Sequence, residues 1–139
     1  MTQTTARSMG TPGVAGAPSA DDPRLRAWIA FLQAHAVVTR RLEAELHAER
    51  GLSLADYDAL VQLAIAEDRR LRMSDLADRV VLSRSGVSRL VDRLVAEGLV
   101  ARRACPTDAR GSGAELTAVG LERLRHAAPV HLRGVDAHF

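Results

Sequence analysis

Apolar positions along the chain fall into helical stripes separated by capping residues and glycines. Asp22-Pro23 presents an N-cap followed by a first-turn proline. From Arg24 to Arg50 there is neither Gly nor Pro, and Leu25, Trp28, Ile29, Leu32, Ala36, Leu42 and Leu46 recur at roughly helical spacing. This predicts one long helix that Gly51 stops. Ser53 is placed to cap a second helix, with Asp56 as capping-box partner and Tyr57, Leu60, Val61 and Ala64 as its inner face. Leu71-Arg72-Met73 reads as a small strand. Ser74 then caps a brief helix carrying Leu76, Ala77 and Val80, and Val81-Leu82 makes a turn. Ser83 caps the next helix, where Val87, Leu90, Val91, Leu94 and Val95 form an apolar stripe that Gly98 ends.

Leu99 to Arg103 is short and extended, and Ala114-Glu115-Leu116 follows a polar loop containing Pro106, Gly111 and Gly113. Two such runs around a Gly-containing loop predict a β-hairpin. Thr117 caps a last helix with Leu121, Leu124, Ala128, Leu132, Val135 and Phe139 on one face, and Pro129 inside it predicts a kink. Residues 1–20 are Thr, Gly, Ala, Ser and Pro with almost no charge, which predicts a disordered tail. The expected fold is mainly α: a winged helix-turn-helix over 53–116 with a small β-hairpin wing. Long N- and C-terminal dimerisation helices, 24–50 and 118–139, flank it within a single domain of 21–139. The flanking stripes exceed what one winged-helix core needs, so a homodimer is expected.

Composition supports this picture. Hydrophobic residues make up 47% of the 139 positions but aromatics only 3%. A core of Leu, Val and Ala favours helices over a β-sandwich. No apolar run approaches the roughly 20 residues of a membrane span. Met1 to Ala20 lacks the basic and apolar regions of a secretory signal. One cysteine excludes an internal disulfide and a cysteine-built zinc site. A cytoplasmic protein is the default expectation, with no membrane partner and no cofactor.

Charge changes the picture more. The formal net charge is +2, and all 19 basic residues are Arg. From Arg69 to Arg110 there are 10 Arg against 5 acidic residues, net +5, whereas the chain before residue 69 is net −3. This basic middle is a candidate footprint for a polyanion. In the second helix of the pair, Ser85, Ser88, Arg89 and Asp92 lie opposite the apolar stripe, with Arg84 and Arg93 flanking. Such a face suits a major groove, where Arg contacts guanine or phosphate and Ser contacts phosphate or a base edge. Asp92 needs a partner to sit there, and Arg89 is one turn away. The hairpin adds Arg102, Arg103 and Arg110, the last suited to a narrow minor groove with Asp108 to hold it. The alternative is a winged-helix protein-interaction module without DNA binding. Steep salt dependence and preference over bulk DNA distinguish the two.

Three segments carry a family resemblance: Leu71-Arg72-Met73-Ser74-Asp75-Leu76-Ala77, Ser83-Arg84-Ser85-Gly86-Val87-Ser88-Arg89-Leu90-Val91-Asp92-Arg93-Leu94, and Gly98-Leu99-Val100. Together they resemble the DNA-binding core of the MarR family of bacterial regulators. Asp108-Ala109-Arg110 followed by Leu116-Thr117-Ala118-Val119-Gly120 is similar to that family's D-x-R…L-T-x-x-G pattern. The resemblance runs from about Leu25 to the end. It implies a homodimeric, ligand-responsive transcription factor, usually a repressor, whose interface uses the first and C-terminal helices. It also implies an effector pocket between the dimer and DNA-binding regions, for which Trp28 and Tyr57 are the candidates. Family members normally continue with another helix that completes the interface. Here the sequence closes at Phe139 on an apolar face, so a truncated sequence and a weaker dimer are expected.

Other chemistry is sparse. The peroxide-sensing relatives use a cysteine near the first helix, and Cys105 lies in the wing instead. His126 and His131 are five apart, a poor spacing for a shared helical metal site, so no metal is expected. No phosphate loop, metalloprotease pair or nucleophile elbow is present, and the expected reading is not an enzyme.

Overall fold

A computed structural model of the chain describes residues 19, 21–80, 84–104 and 112–139. The expected tail (Ser19 apart), the Val81–Ser83 turn and cap, and Cys105, Asp108 and Arg110 lie outside these residues. The elements are α1 (Pro23–Arg50), α2 (Leu54–Ile65), a 3-10 turn (Glu67–Arg69), β1 (Arg70–Arg72), α3 (Met73–Val80), α4 (Arg84–Ala96), β2 (Val100–Ala104), β3 (Ser112–Leu116) and α5 (Ala118–His138). The sequence-derived order is present. α3 starts directly from β1, so Ser74 lies in its first turn and not at its cap.

The described residues fall into two compact units that divide inside α1, between His35 and Ala36. In the first unit Trp28, Ile29, Phe31 and Leu32 are all exposed. Trp28 stacks on Phe31 at 5.9 Å between ring centroids, and Phe31 on His35 at 6.3 Å. The buried positions of α1 are only Leu42 and Leu46, both in the second unit.

In the second unit α2 packs on α3 and α5, and α3 on α4. Leu46, Leu60, Leu63, Leu76, Leu90 and Leu94 form the centre of the core. Ser53 caps α2 as expected, its Oγ accepting from the Asp56 N–H at 2.9 Å. Gly51 and Gly98 adopt φ of 65° and 73° just past the ends of α1 and α4, where only glycine turns the chain without a Cβ penalty. The α4 stripe is buried except Val95, which lies about 80° around the helix from Val87 and is exposed.

The hairpin gains a third strand. Sheet order is β1-β3-β2, antiparallel, with Leu71 and Arg102 both opposite Ala114 and Val100 opposite Leu116. α5 runs on past Pro129 to His138. Its inner face is rotated from the expected one: Gly120, Leu124, Ala127, Val130 and Gly134 are buried, while Leu132 and Phe139 are exposed. Small residues explain the rotation. A Cβ at Gly134 would meet Glu45 and Leu42 at 2.7 Å, so the α1 side chains lie directly against the α5 backbone. A hydrogen-bond contact of His138 Nε2 with Glu45 at 2.6 Å and an ion pair of Arg133 with Glu49 at 2.6 Å fasten the same helices. Arg50 Nε donates to the His126 carbonyl, and Arg123 Nη2 to the Arg50 carbonyl, each at 2.8 Å.

Candidate nucleic-acid interface

α4 has two faces with separate tasks. Val87, Leu90, Val91 and Leu94 are 0–1% exposed and seat the helix on the core. Ser85, Arg89, Asp92 and Arg93 are exposed and Ser88 is half-buried. A helix fixed along one apolar stripe presents its opposite face in a set orientation, which a groove-reading element requires. The side chain of Arg84 is outside the description.

The sheet stands beside this helix. Asp92 pairs with Arg102 Nη2 of β2 at 2.6 Å, not with Arg89 as its spacing suggested. A one-turn neighbour on the same helix loses to a residue from the next strand, which sequence spacing does not reveal. Arg93 also has a partner: its Nη2 donates to Asp56 Oδ1 at 2.9 Å, near the N-terminus of α2. Asp56 is 9% exposed, so this carboxylate is held inside the fold. Glu115 of β3 accepts from Arg103 Nε at 2.7 Å and pairs with Arg70 Nε at 3.0 Å, tying the three strands together. The Arg103 hydrogen bond, reinforced by the charge of Arg70, holds the Glu115 carboxyl below the usual carboxylate range.

Arg89 differs from these. No hydrogen bond or ion pair joins it to another described residue. Sequence reading found the α4 face and missed Asp56, Arg70 and Glu115 as partners. Asp56 was accounted for as a cap residue, and Glu115 sits in alternation on a strand with nothing in its spacing to announce two arginines.

The candidate effector residues are not equivalent. Tyr57 is 8% exposed, with its ring 4.5 Å from that of His131. Burial raises the Tyr57 pKa. Burial also lowers the His131 pKa, opposed by the charge of Asp58, and His131 Nδ1 is enclosed without a hydrogen-bond partner among the described residues. Trp28 is exposed on the first unit. Among the described residues no group of three metal-ligating side chains is assembled, and no helix is long and apolar enough to cross a membrane.

Residues 50–111 match the MarR family. The crystal structure of AbsC, a MarR family transcriptional regulator from Streptomyces coelicolor, is similar with a TM-score of 0.81 and 38% identity, covering 88% of this chain and 82% of AbsC. The chain belongs to the MarR family of transcriptional regulators. A second MarR family regulator from Streptomyces coelicolor, Sco3205, was solved in complex with DNA; it aligns with a TM-score of 0.82 and 34% identity over 88% of this chain and 77% of its own. The transcriptional repressor YetL of Bacillus subtilis (strain 168) is 36% identical over 90 residues, which is 65% of this chain. That match spans 54% of the length of YetL. Membership in the MarR family accounts for the sheet beside α4 and for the α3–α4 pair as a winged helix-turn-helix.

Proposed function

We propose that the chain is a repressor that binds a pseudo-palindromic operator in double-stranded DNA as a homodimer and is released by a small-molecule effector. The observation that carries it is the outer face of α4. Four arginines of α4 and the sheet, Arg70, Arg93, Arg102 and Arg103, have carboxylate partners, while Arg89 stands exposed on that face without one among the described residues. A desolvated guanidinium without a partner is costly, whereas one presented to water is ready for a guanine edge or a phosphate. We assign Ser85, Ser88 and Arg89 of α4 and Arg102 of β2 to the DNA-facing set, and add Arg84, Asp108 and Arg110 on the sequence pattern alone. Two such heads would engage successive major grooves roughly 34 Å apart. The dimer uses residues 24–50 and 118–139, where exposed Trp28, Phe31, Leu32, Leu132 and Phe139 leave apolar surface to cover. Repression follows the named role of YetL. Effector contact is assigned to Trp28 and to Tyr57, the latter only if the core opens at His131.

Selection of sites from random DNA, followed by titration, tests this. Arg89→Ala should cost about 1–3 kcal/mol on the selected site and relax preference at one base position per half-site. Binding with shallow salt dependence and no preference over bulk DNA would refute it.

A further inference from the structure

Two adjacent residues near the C-terminal end of α4, Asp92 and Arg93, carry opposite charges and pair with different neighbours. Asp92 reaches β2 through Arg102 at 2.6 Å, and Arg93 reaches α2 through Asp56 at 2.9 Å. Adjacent residues on a helix project about 100° apart, so the pairs bracket α4 from two sides. We propose that Arg93 is a positioning residue for DNA recognition: gripped by Asp56, it fixes the roll of α4 about its own axis and makes no phosphate contact. This rests on the reading of α4 as the groove-facing helix.

Burial of Val87, Leu90, Val91 and Leu94 resists lifting α4 off the core. Packing of that stripe sets the orientation of α4, and a directed bond at its edge restrains small rotations further than non-directional attraction does. A charge-assisted hydrogen bond is directional and loses its strength over a few tenths of an ångström. With side-chain tips about 6 Å from the helix axis, a roll of about 20° moves them about 2 Å. That breaks the Arg93–Asp56 bond, and it also displaces Arg89, Ser88 and Ser85 from any base edge they address. The pair and the reading face are thus geared to the same angle.

Asp56 is well placed for this role. Its backbone N–H is already held by Ser53 Oγ, so the carboxylate is anchored in the first turn of α2. The next contact upstream is also polar, since the Leu54 N–H donates to the Glu43 carboxylate of α1. The N-terminus of α2 is therefore a joint at which the second half of α1, α2 and α4 meet through directed bonds. If Arg93 turned its Nη2 to a phosphate, the Asp56 carboxylate would lose the charge-assisted hydrogen bond it now accepts. A buried carboxylate stripped of its partner is strongly disfavoured. The geometry favours Asp56 as the lasting partner.

Residual dipolar couplings on the whole DNA-free protein report the orientation of α4 against α2. Arg93→Gln and Asp56→Asn should turn α4 in the same sense, and Arg93→Lys, which keeps the charge without the planar fork, should turn it less. An orientation unchanged in both variants overturns the proposal. On a site selected with the wild-type protein, both variants should lose about tenfold in affinity, hold bulk DNA as wild type does, and keep the wild-type salt slope. A slope reduced by about 0.9 per half-site in Arg93→Gln, with Asp56→Asn binding normally, marks a phosphate contact and overturns it. Should Asp56→Asn not fold, Arg93→Gln gives both readouts alone, because its side chain is 55% exposed. A wild-type protein with no sequence preference defeats the DNA reading instead, and the roll measurement still decides the role of Arg93.

Discussion

Gly120 offers the sharpest test of how the wing is attached to the helices. It is the third residue of α5, and its amide N–H donates to the capping Thr117 Oγ1 at 2.9 Å. Thr117 Oγ1 in turn donates to the Gly98 carbonyl at 2.7 Å, and the Thr117 N–H to the Leu99 carbonyl at 3.1 Å. A Cβ at Gly120 would lie 2.0 Å from the Leu99 oxygen and 2.7 Å from Leu116 Cδ1. The first obstacle is backbone, which does not swing aside as a side-chain end does. Gly120→Ala must move α5 away from the Gly98–Leu99 turn by about 1.5 Å to restore ordinary contact. Overpacking of this kind costs about 1–3 kcal/mol. Loss of one or two of the Thr117 bonds adds about 0.5–1.5 kcal/mol each. The better helix propensity of Ala returns at most about 1 kcal/mol. The net expectation is a loss of about 0.5–6 kcal/mol, or about 2–24 °C in Tm for a chain of this size. Gly134→Ala is the control. Its Cβ would meet Glu45 Oε2 and Leu42 Cδ2 at 2.7 Å, both ends of flexible side chains, so it should cost less. Urea and thermal unfolding of the three proteins measure the difference. Gly120→Ala with wild-type stability would show that the turn is not packed as described.

Four shorter predictions follow. Glu115→Gln should loosen the sheet by releasing Arg70 and Arg103, raising amide exchange in β1 and β2. Because Arg103 and Arg70 hold the Glu115 pKa below its ordinary value of 4.5, the stabilisation from this carboxylate is complete above that value and is lost as pH falls through the lowered one. The pH dependence of stability should therefore be flatter below 4.5 in Glu115→Gln. His131 has the opposite sign: with its pKa lowered from 6.5, the unfolded chain takes up the proton first, so stability should fall as pH drops below 6.5, and His131→Phe should weaken that dependence. Cys105→Ser should leave DNA affinity and effector response nearly unchanged in binding titrations with and without oxidant. Arg110→Ala should weaken binding more evenly across major-groove variants than Arg89→Ala, as titration on single-base operator variants would report.

Most of the fold was legible because its signals are local. Ser53, Thr117, Gly51 and Gly98 each end or begin an element through their own backbone chemistry, and the structure has them doing so. The α4 stripe was legible because its apolar spacing matches one face, up to Val95 at the edge. The α5 face was misread for an equally physical reason. Counting large apolar residues selects Leu132 and Phe139, whereas the helix is buried along Gly120, Ala127 and Gly134, where small residues let other segments come close. Periodicity weighs hydrophobicity and does not weigh closeness of approach. The same limit applied to the charged residues. Asp92 has its partner across a loop and not one turn away on its own helix, and Arg93 gives its Nη2 to a carboxylate 37 positions away, a pairing that spacing does not announce.

That limit bears on what the basic middle of the chain means. Net +5 over residues 69–110 falls to +3 once Asp56 and Glu115, both outside the segment in sequence, are counted with the arginines they hold. Four of the ten arginines in this stretch serve the fold first. A guanidinium that spends one or two N–H groups on a carboxylate still has donors left, whereas a lysine charge is a single point. Arg102 shows the arrangement, with Nη2 on Asp92 and the side chain 37% exposed. If α4 and the sheet face DNA as proposed, the paired arginines hold that surface together while their remaining N–H groups and Arg89, unpaired among the described residues, stay open to it. A binding footprint estimated from residue counts alone overlooks those pairings.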